Sequence, residues 1–379
     1  MNIAIDIRSL MHPNRTGVGE YTHELLSALF TLDQKNQYWL FYNSAKSVNV
    51  PKFNFPNVHY AKFSYPNKLL NFSLKIFNYP KIDKLIQHKF KTTIDLFFFP
   101  NLIFFAVACP YIITCHDLSF ELFPSFYSLK RRLWHWFINP SKLYHRARSI
   151  ISVSHHTCSD LIKTYHLPAA KIITIHSGIS TVYKKLDLTD PGKDRVRQKY
   201  SLPSKFFLFL GTLEPRKNIE TLILAYNRNQ DIHPSSTELV IAGAPGWKYK
   251  TIYRLIEHSK YSSKIHLINF VAQADKVYLY NMAQVFIFPS FYEGFGFPPL
   301  EALASGTPVI ASHVSSLPEI LGQNASYIDP YNVQDLADGL NSSLTESPKA
   351  VDFPWPTTAA RVLTLFNNFN PIDNNLFRP

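Results

Sequence analysis

Short unbroken apolar runs alternate along this chain with longer stretches in which apolar positions recur every three or four residues. Runs of the first kind mark strands buried on both faces, and stretches of the second kind mark helices with one apolar side. The pattern predicts strands at Ile3–Ile7, Tyr38–Tyr42, Val58–Ala61, Leu96–Phe99, Tyr111–Cys115, Ile150–Val153 and Ile172–Ile175. Helices are expected between them, including Val18–Phe30, Lys130–Arg146 and Thr157–Tyr165. After a polar stretch, Ser177–Ser204, the pattern restarts with a strand at Phe206–Gly211 and a helix at Asn218–Tyr226. It continues with strands at Leu239–Ala242, Ile265–Leu267, Val285–Phe288, Val309–Ala311 and Ala325–Ile328. At 379 residues the chain suits two cores. The expected organisation is a first α/β domain over 1–176, a linker over 177–204, a second domain over 205–356 and a C-terminal tail over 357–379 opening with a helix, Thr357–Asn368. Each domain should be a doubly wound parallel sheet, with ligands outside the carboxyl ends of the strands.

Leu96–Thr114 carries no charge and is long enough to suggest a membrane span, but Pro100 and Pro110 cut it into two strand-length runs. Two buried strands are expected there instead of a spanning helix. Hydrophobic residues make up 46% and charged residues 17%, a folded rather than disordered composition. The three cysteines have no CxxC spacing and read as buried thiols of a reducing, cytoplasmic compartment. Lysine and arginine number 39 against 27 acids, a balance of +12. With no recognisable nucleic-acid-binding pattern, that excess points to an anionic substrate or an anionic membrane surface, and not to nucleic acid.

Four segments carry candidate chemistry. In "PSFYEGFGFPPLEALASG", Glu293 stands in a glycine-broken loop and Glu301 lies eight residues on, in a helix. Pro298 and Pro299 suit the start of that helix, whose first amides and dipole attract a phosphate. Two carboxylates beside a phosphate site accept hydroxyl groups, which suggests a nucleotide sugar. "GTLEPRKNIE" sets Arg216 and Lys217 in the turn after the strand that ends at Gly211, as a diphosphate clamp or a solvated basic turn. "RTGVGEYTHELL" brings Gly17 and Gly19 to a helix start; it lacks the third small residue of a dinucleotide fingerprint. "TCHDLSFE" ends a strand with His116 and Asp117, for which a structural role competes with a place in the site. Ser152 and Ser154 read as helix caps. No Asp-x-Asp triplet occurs, so Arg216, Lys217 and helix ends, with no metal and no cofactor, are expected to offset phosphate charge.

Together these segments resemble family 4 of the retaining glycosyltransferases, of the GT-B fold: two Rossmann-like domains facing a cleft. The resemblance implies that Glu301 holds the ribose hydroxyls and Glu293 the hydroxyls of the donor hexose. It implies that the backbone of Gly294, Phe295, Gly296 and Phe297 meets sugar and phosphate, that Arg216 and Lys217 bind the diphosphate, and that His116 lies near the reacting carbon. It further implies that the tail helix crosses back to the first domain. The chain departs from the family at Thr212, where many relatives have arginine, and at Thr16-Gly17, where a Gly-Gly pair is common.

Overall likeness favours GDP-mannose as donor and a glycan or lipid-linked acceptor in surface polysaccharide synthesis. The alternatives are a nucleotide-sugar 2-epimerase and a catalytically silent binding partner. The stretch Leu129–Ser149 mixes Lys130, Arg131, Arg132, Lys142, Arg146 and Arg148 with Trp134, Trp136 and Phe137. Either it lies peripherally on the inner face of the cytoplasmic membrane, or it buries its aromatic residues in the core.

Overall fold

The computed structural model describes residues 1–12, 17–341 and 352–369. Contacts divide the chain into two units. The first comprises Met1–Leu118, Lys130–Gly178 and the chain from Phe353; the second comprises Ser119–Leu129 and Ile179–Asp352.

The described part of the first unit contains β1 (Asn2–Asp6), β2 (Gln37–Asn43), β3 (Val58–Phe63), β4 (Leu96–Phe99), β5 (Tyr111–Cys115), β6 (Ser149–Ser152) and β7 (Ile172–Thr174). They form one parallel sheet in the order β3-β2-β1-β4-β5-β6-β7. β4 and β5 are buried at every residue, because helices cover both faces of such a sheet. The apolar stretch Leu96–Thr114 thus supplies two neighbouring strands. Among the described residues no helix is long and apolar enough to cross a membrane. The last helix, Trp355–Asn367, packs within this unit against the helix Gly17–Leu32, with the Tyr21 and Trp355 rings 5.7 Å apart and Phe366 5.4 Å from Phe98. Residues 370–379 of the expected tail, and Arg15 and Thr16 of the glycine turn, lie outside the described residues.

Three expectations are corrected here. The helix predicted over Lys130–Arg146 is two, Leu129–Ile138 and Pro140–Arg146. Pro140 cannot continue the first, and Asn139 turns left-handed (φ 58°) while its side chain accepts from the Lys142 amide. Ser154 caps the helix His155–Tyr165, whereas Ser152 stays in β6 and bonds Thr174 across the sheet at 2.9 Å. The stretch read as a linker is folded onto the second unit from Ile179 onward, its helix Pro191–Tyr200 anchored by Lys199 and Tyr200 to Asp275.

In the second unit the described strands are β8 (Phe206–Leu210), β9 (Glu238–Ala242), β10 (Ile265–Ile268), β11 (Val285–Phe288), β12 (Val309–Ser312) and β13 (Ala325–Ile328). They too are parallel, in the order β10-β9-β8-β11-β12-β13. The order reverses direction between β8 and β11, where chain connections leave to opposite sides and open a crevice at the strand ends. The turn after β8 carries Arg216 and Lys217, and the loop after β11 carries Glu293. Topology therefore sets both charged segments at one switch point.

Candidate active site

The site of the second unit begins just after β8, at Gly211, whose amide bonds the Ala242 carbonyl. Its neighbour across the sheet must also be glycine, since a Cβ on Gly243 would lie 1.8 Å from the Gly211 oxygen. A single 3-10 turn, Pro215–Lys217, then presents both cations. Asn218 closes the turn in the left-handed region (φ 57°) and starts the helix Ile219–Ile232. Its side-chain amide donates to the carbonyls of Pro289 (3.0 Å) and Pro330 (2.7 Å), tying the turn to the loops after β11 and β13. Asn218→Ala would leave two buried carbonyls without donors and is expected to lower stability by about 1–3 kcal/mol, read as a shift in the urea midpoint.

Arg216 and Lys217 do not stand apart from Glu293; they hold it. Lys217 Nζ lies 2.6 Å from Glu293 Oε1 and over the Phe288 ring at 4.6 Å. Arg216 Nη1 reaches Glu293 Oε2 at 2.8 Å and donates to the Tyr292 carbonyl at 2.7 Å. The other edge of the guanidinium takes Glu214 Oε1 at 2.9 Å. Two cations thus face two carboxylates, with Lys217, Glu214 and Glu293 all buried. Burial alone would raise the Glu293 pKa, but Arg216 and Lys217 outweigh it and hold the carboxyl at about 2. Burial pulls Lys217 below the ordinary lysine range against the opposing field of Glu293.

The Glu293 loop is pinned at both sides. The Glu293 amide donates to Ser315 Oγ, and the Ser316 hydroxyl donates to the Glu293 carbonyl. Phe291 donates to the Arg216 carbonyl, joining loop to turn. Phe295 is buried, and Gly296 adopts φ 97° before the helix Phe297–Ala304. Pro298 and Pro299 occupy its second and third positions, one later than the sequence suggested, and bring no N–H. The anion-attracting amides of that first turn reduce to that of Phe297, which weakens the expected contribution of the helix end. Glu301 lies one turn on, and its Oε2 accepts from Tyr280 at 2.7 Å. Glu214, Asn218, Tyr280, Ser315 and Ser316 are the supporting groups that sequence reasoning did not assign. For Glu214 and Asn218 the available signal was their place inside "EPRKN".

Aromatic side chains line the same loop. Within the second unit, Phe123 lies 5.5 Å from Tyr292, and Phe126 stacks on Phe291 at 5.5 Å. Trp247 stacks on Tyr127 and donates to the Phe126 carbonyl at 2.6 Å.

In the first unit, His116 and Asp117 follow the carboxyl end of β5 and are half-buried. His116 Nε2 lies 2.8 Å from the Pro100 carbonyl, which can only accept, so Nε2 carries the proton. Burial lowers the His116 pKa and so favours the neutral ring, which packs nearly perpendicular to the Tyr21 ring at 4.7 Å. Gly17 and Gly19 open the helix that carries Tyr21. On the same helix Glu20, His23 and Glu24 bring possible ligand atoms within 4.8 Å of one another, a grouping that could hold a cation. It arises from helical spacing.

Two family profiles match the chain: "Glycosyltransferase Family 4" over residues 15–183 and "Glycosyl transferases group 1" over residues 192–354. Among curated proteins, O-antigen chain mannosyltransferase B of Escherichia coli is 30% identical over 347 residues, covering 87% of each chain. The serotype-specific mannosyltransferase WbdA of Escherichia coli is 30% identical over 261 residues, 65% of this chain but 32% of that longer protein. Among solved structures, sucrose-phosphate synthase from Thermosynechococcus elongatus superposes with a TM-score of 0.73 over 97% of this chain and 98% of its own, at 18% identity, a likeness of fold. The chain belongs to glycosyltransferase family 4, and its two Rossmann-like domains are those of the GT-B fold.

Proposed function

We propose that this chain is a retaining hexosyltransferase that moves mannose from GDP-mannose to a glycan or lipid-linked acceptor in surface polysaccharide synthesis. One observation carries the donor half of this reading: Arg216, Lys217 and Glu293 converge where the second sheet reverses direction. The names of the relatives support mannose and a surface polysaccharide.

The charge balance of the cluster suggests how a donor binds. A diphosphate brought to Arg216 and Lys217 competes with Glu293 for the same N–H groups. As phosphate oxygens take those donors, Glu293 is released as an acceptor for hexose hydroxyls, and Glu301 receives the ribose hydroxyls. As the bond from the sugar's anomeric carbon to phosphate breaks, negative charge grows on the leaving diphosphate opposite the two cations. The acceptor hydroxyl bonds that carbon from the same face and passes its proton to the departing phosphate oxygen. Neutral His116, its Nδ1 unprotonated, accepts a hydrogen bond from the donor sugar in this scheme. On this reading the helix Leu129–Ile138 lies on an anionic membrane surface at the cytoplasmic side, and phosphate charge is met without a divalent metal.

The test is a panel of GDP-mannose, UDP-glucose, UDP-galactose and UDP-N-acetylglucosamine, in EDTA, with wild type and Glu293→Ala. Nucleotide release from GDP-mannose alone, lost in the variant, with the anomeric configuration kept in the product, is the expected result. Release of an epimeric nucleotide sugar would assign the chain to epimerisation, and a glycosyl ester trapped on Glu293 or Asp117 would overturn same-face attack.

A further inference from the structure

Two helices of the first unit carry apolar residues that the core does not use. In the helix Asn67–Ile76, Leu70 and Leu74 are buried, whereas Leu69, Phe72 and Ile76 form a second stripe facing solvent. Phe77 and Tyr79 extend it, at 67% and 66% exposure. In the helix Leu129–Ile138 only Ile138 is buried; Leu133 is 64% exposed and Trp136 76%. The core-burial reading of its aromatic residues is therefore not the one realised. Lys75 of one helix lies 5.2 Å over the Phe137 ring of the other, so the two helices are neighbours.

Between them opens a cleft of about 180 Å³ whose polar wall is Lys75, Asn78, Asn139, Lys142 and Arg146, and whose apolar wall includes Phe104 and Ile138. Like charges converge there. Burial and the facing Lys142 lower the Lys75 pKa; burial and Arg146 do the same for Lys81, partly offset by Asp83. The sequence has no acid between Asp33 and Asp83, nor between Glu121 and Asp160. Asp83 itself accepts from the amides of Ala108 and Cys109. A cationic cleft flanked by exposed aromatic and aliphatic side chains matches an amphiphile with an anionic head and apolar tails.

We propose that this face docks on a phospholipid bilayer and that the cleft takes the phosphate of an anionic lipid headgroup. The proposal rests on the membrane-surface part of the reading above, extending it to a second helix and a defined binding cleft; it is independent of the donor chemistry.

The experiment is co-sedimentation of the full chain with vesicles of phosphatidylcholine, alone or mixed with phosphatidylglycerol. Wild type should partition onto the mixed vesicles. Lys75→Gln/Lys142→Gln should weaken that partition about 10- to 30-fold, more than removal of two exposed charges elsewhere in Lys205→Gln/Lys250→Gln. Leu133→Ser/Trp136→Ser should weaken it by about 10-fold or more through loss of apolar insertion. Donor turnover in solution should be the same in all variants, which shows that they fold. Equal binding by the lysine pair and its control would overturn the headgroup cleft while leaving the membrane surface standing. Absence of wild-type binding to either vesicle would overturn both. Stabilisation of wild type by inorganic phosphate, dependent on Lys142 and without vesicle binding, would make this a site for soluble phosphate and overturn the lipid source.

Discussion

Lys217→Met is expected to lower kcat for sugar transfer by about 10²–10³-fold while the protein stays folded. Methionine keeps the length of the side chain and its packing over Phe288, but removes the ammonium 2.6 Å from Glu293. Glu293 retains Arg216 at 2.8 Å, so no buried carboxylate is left wholly unpaired and the fold should tolerate the change. The missing charge is felt most where the leaving diphosphate develops its own, so the loss should fall on kcat more than on KM. Adding Arg216→Ala should cost less than the product of the two single effects, because both cations act on one leaving group. Steady-state kinetics decide it, and an unchanged kcat with raised KM would reduce Lys217 to a ground-state contact.

The second large effect concerns acid stability. Glu293 is held at about 2, below the value expected when unfolded. A lowered folded-state pKa contributes stability that is present above the unfolded value and lost as pH falls toward the folded one. The stability difference between wild type and Glu293→Gln should therefore be largest near neutral pH and shrink by about 2 kcal/mol between pH 6 and pH 3. Urea denaturation of both proteins across that range measures it. A difference that stays constant would mean that the ion cluster does not survive in solution.

The strands were legible because parallel strands covered on both faces are continuous apolar runs, as in "LFFF" at 96–99 and "VFIF" at 285–288. So were the charged residues of the switch-point cluster, since glycine and proline mark the loops that hold them. The break at Asn139 was harder to see, because the basic and aromatic pattern continues across Pro140 as if one helix ran through. The double-faced helix Asn67–Ile76 is obscure in the sequence for the opposite reason: its apolar residues point two ways, so no single stripe stands out. The mutual neutralisation of Arg216, Lys217, Glu214 and Glu293 was not legible at all. It depends on side chains from the turns after two strands far apart in sequence meeting at one switch point, and the pairing of β8 with β11 brings those turns together.

The most direct test of the donor site is calorimetric titration of GDP and UDP, in EDTA, into wild type and into Arg216→Ala/Lys217→Met. Binding of GDP by wild type without metal, reduced at least about 100-fold in the double variant, is the expected result. Equal affinity in both proteins would contradict it, since the diphosphate would then be held somewhere other than at these two cations.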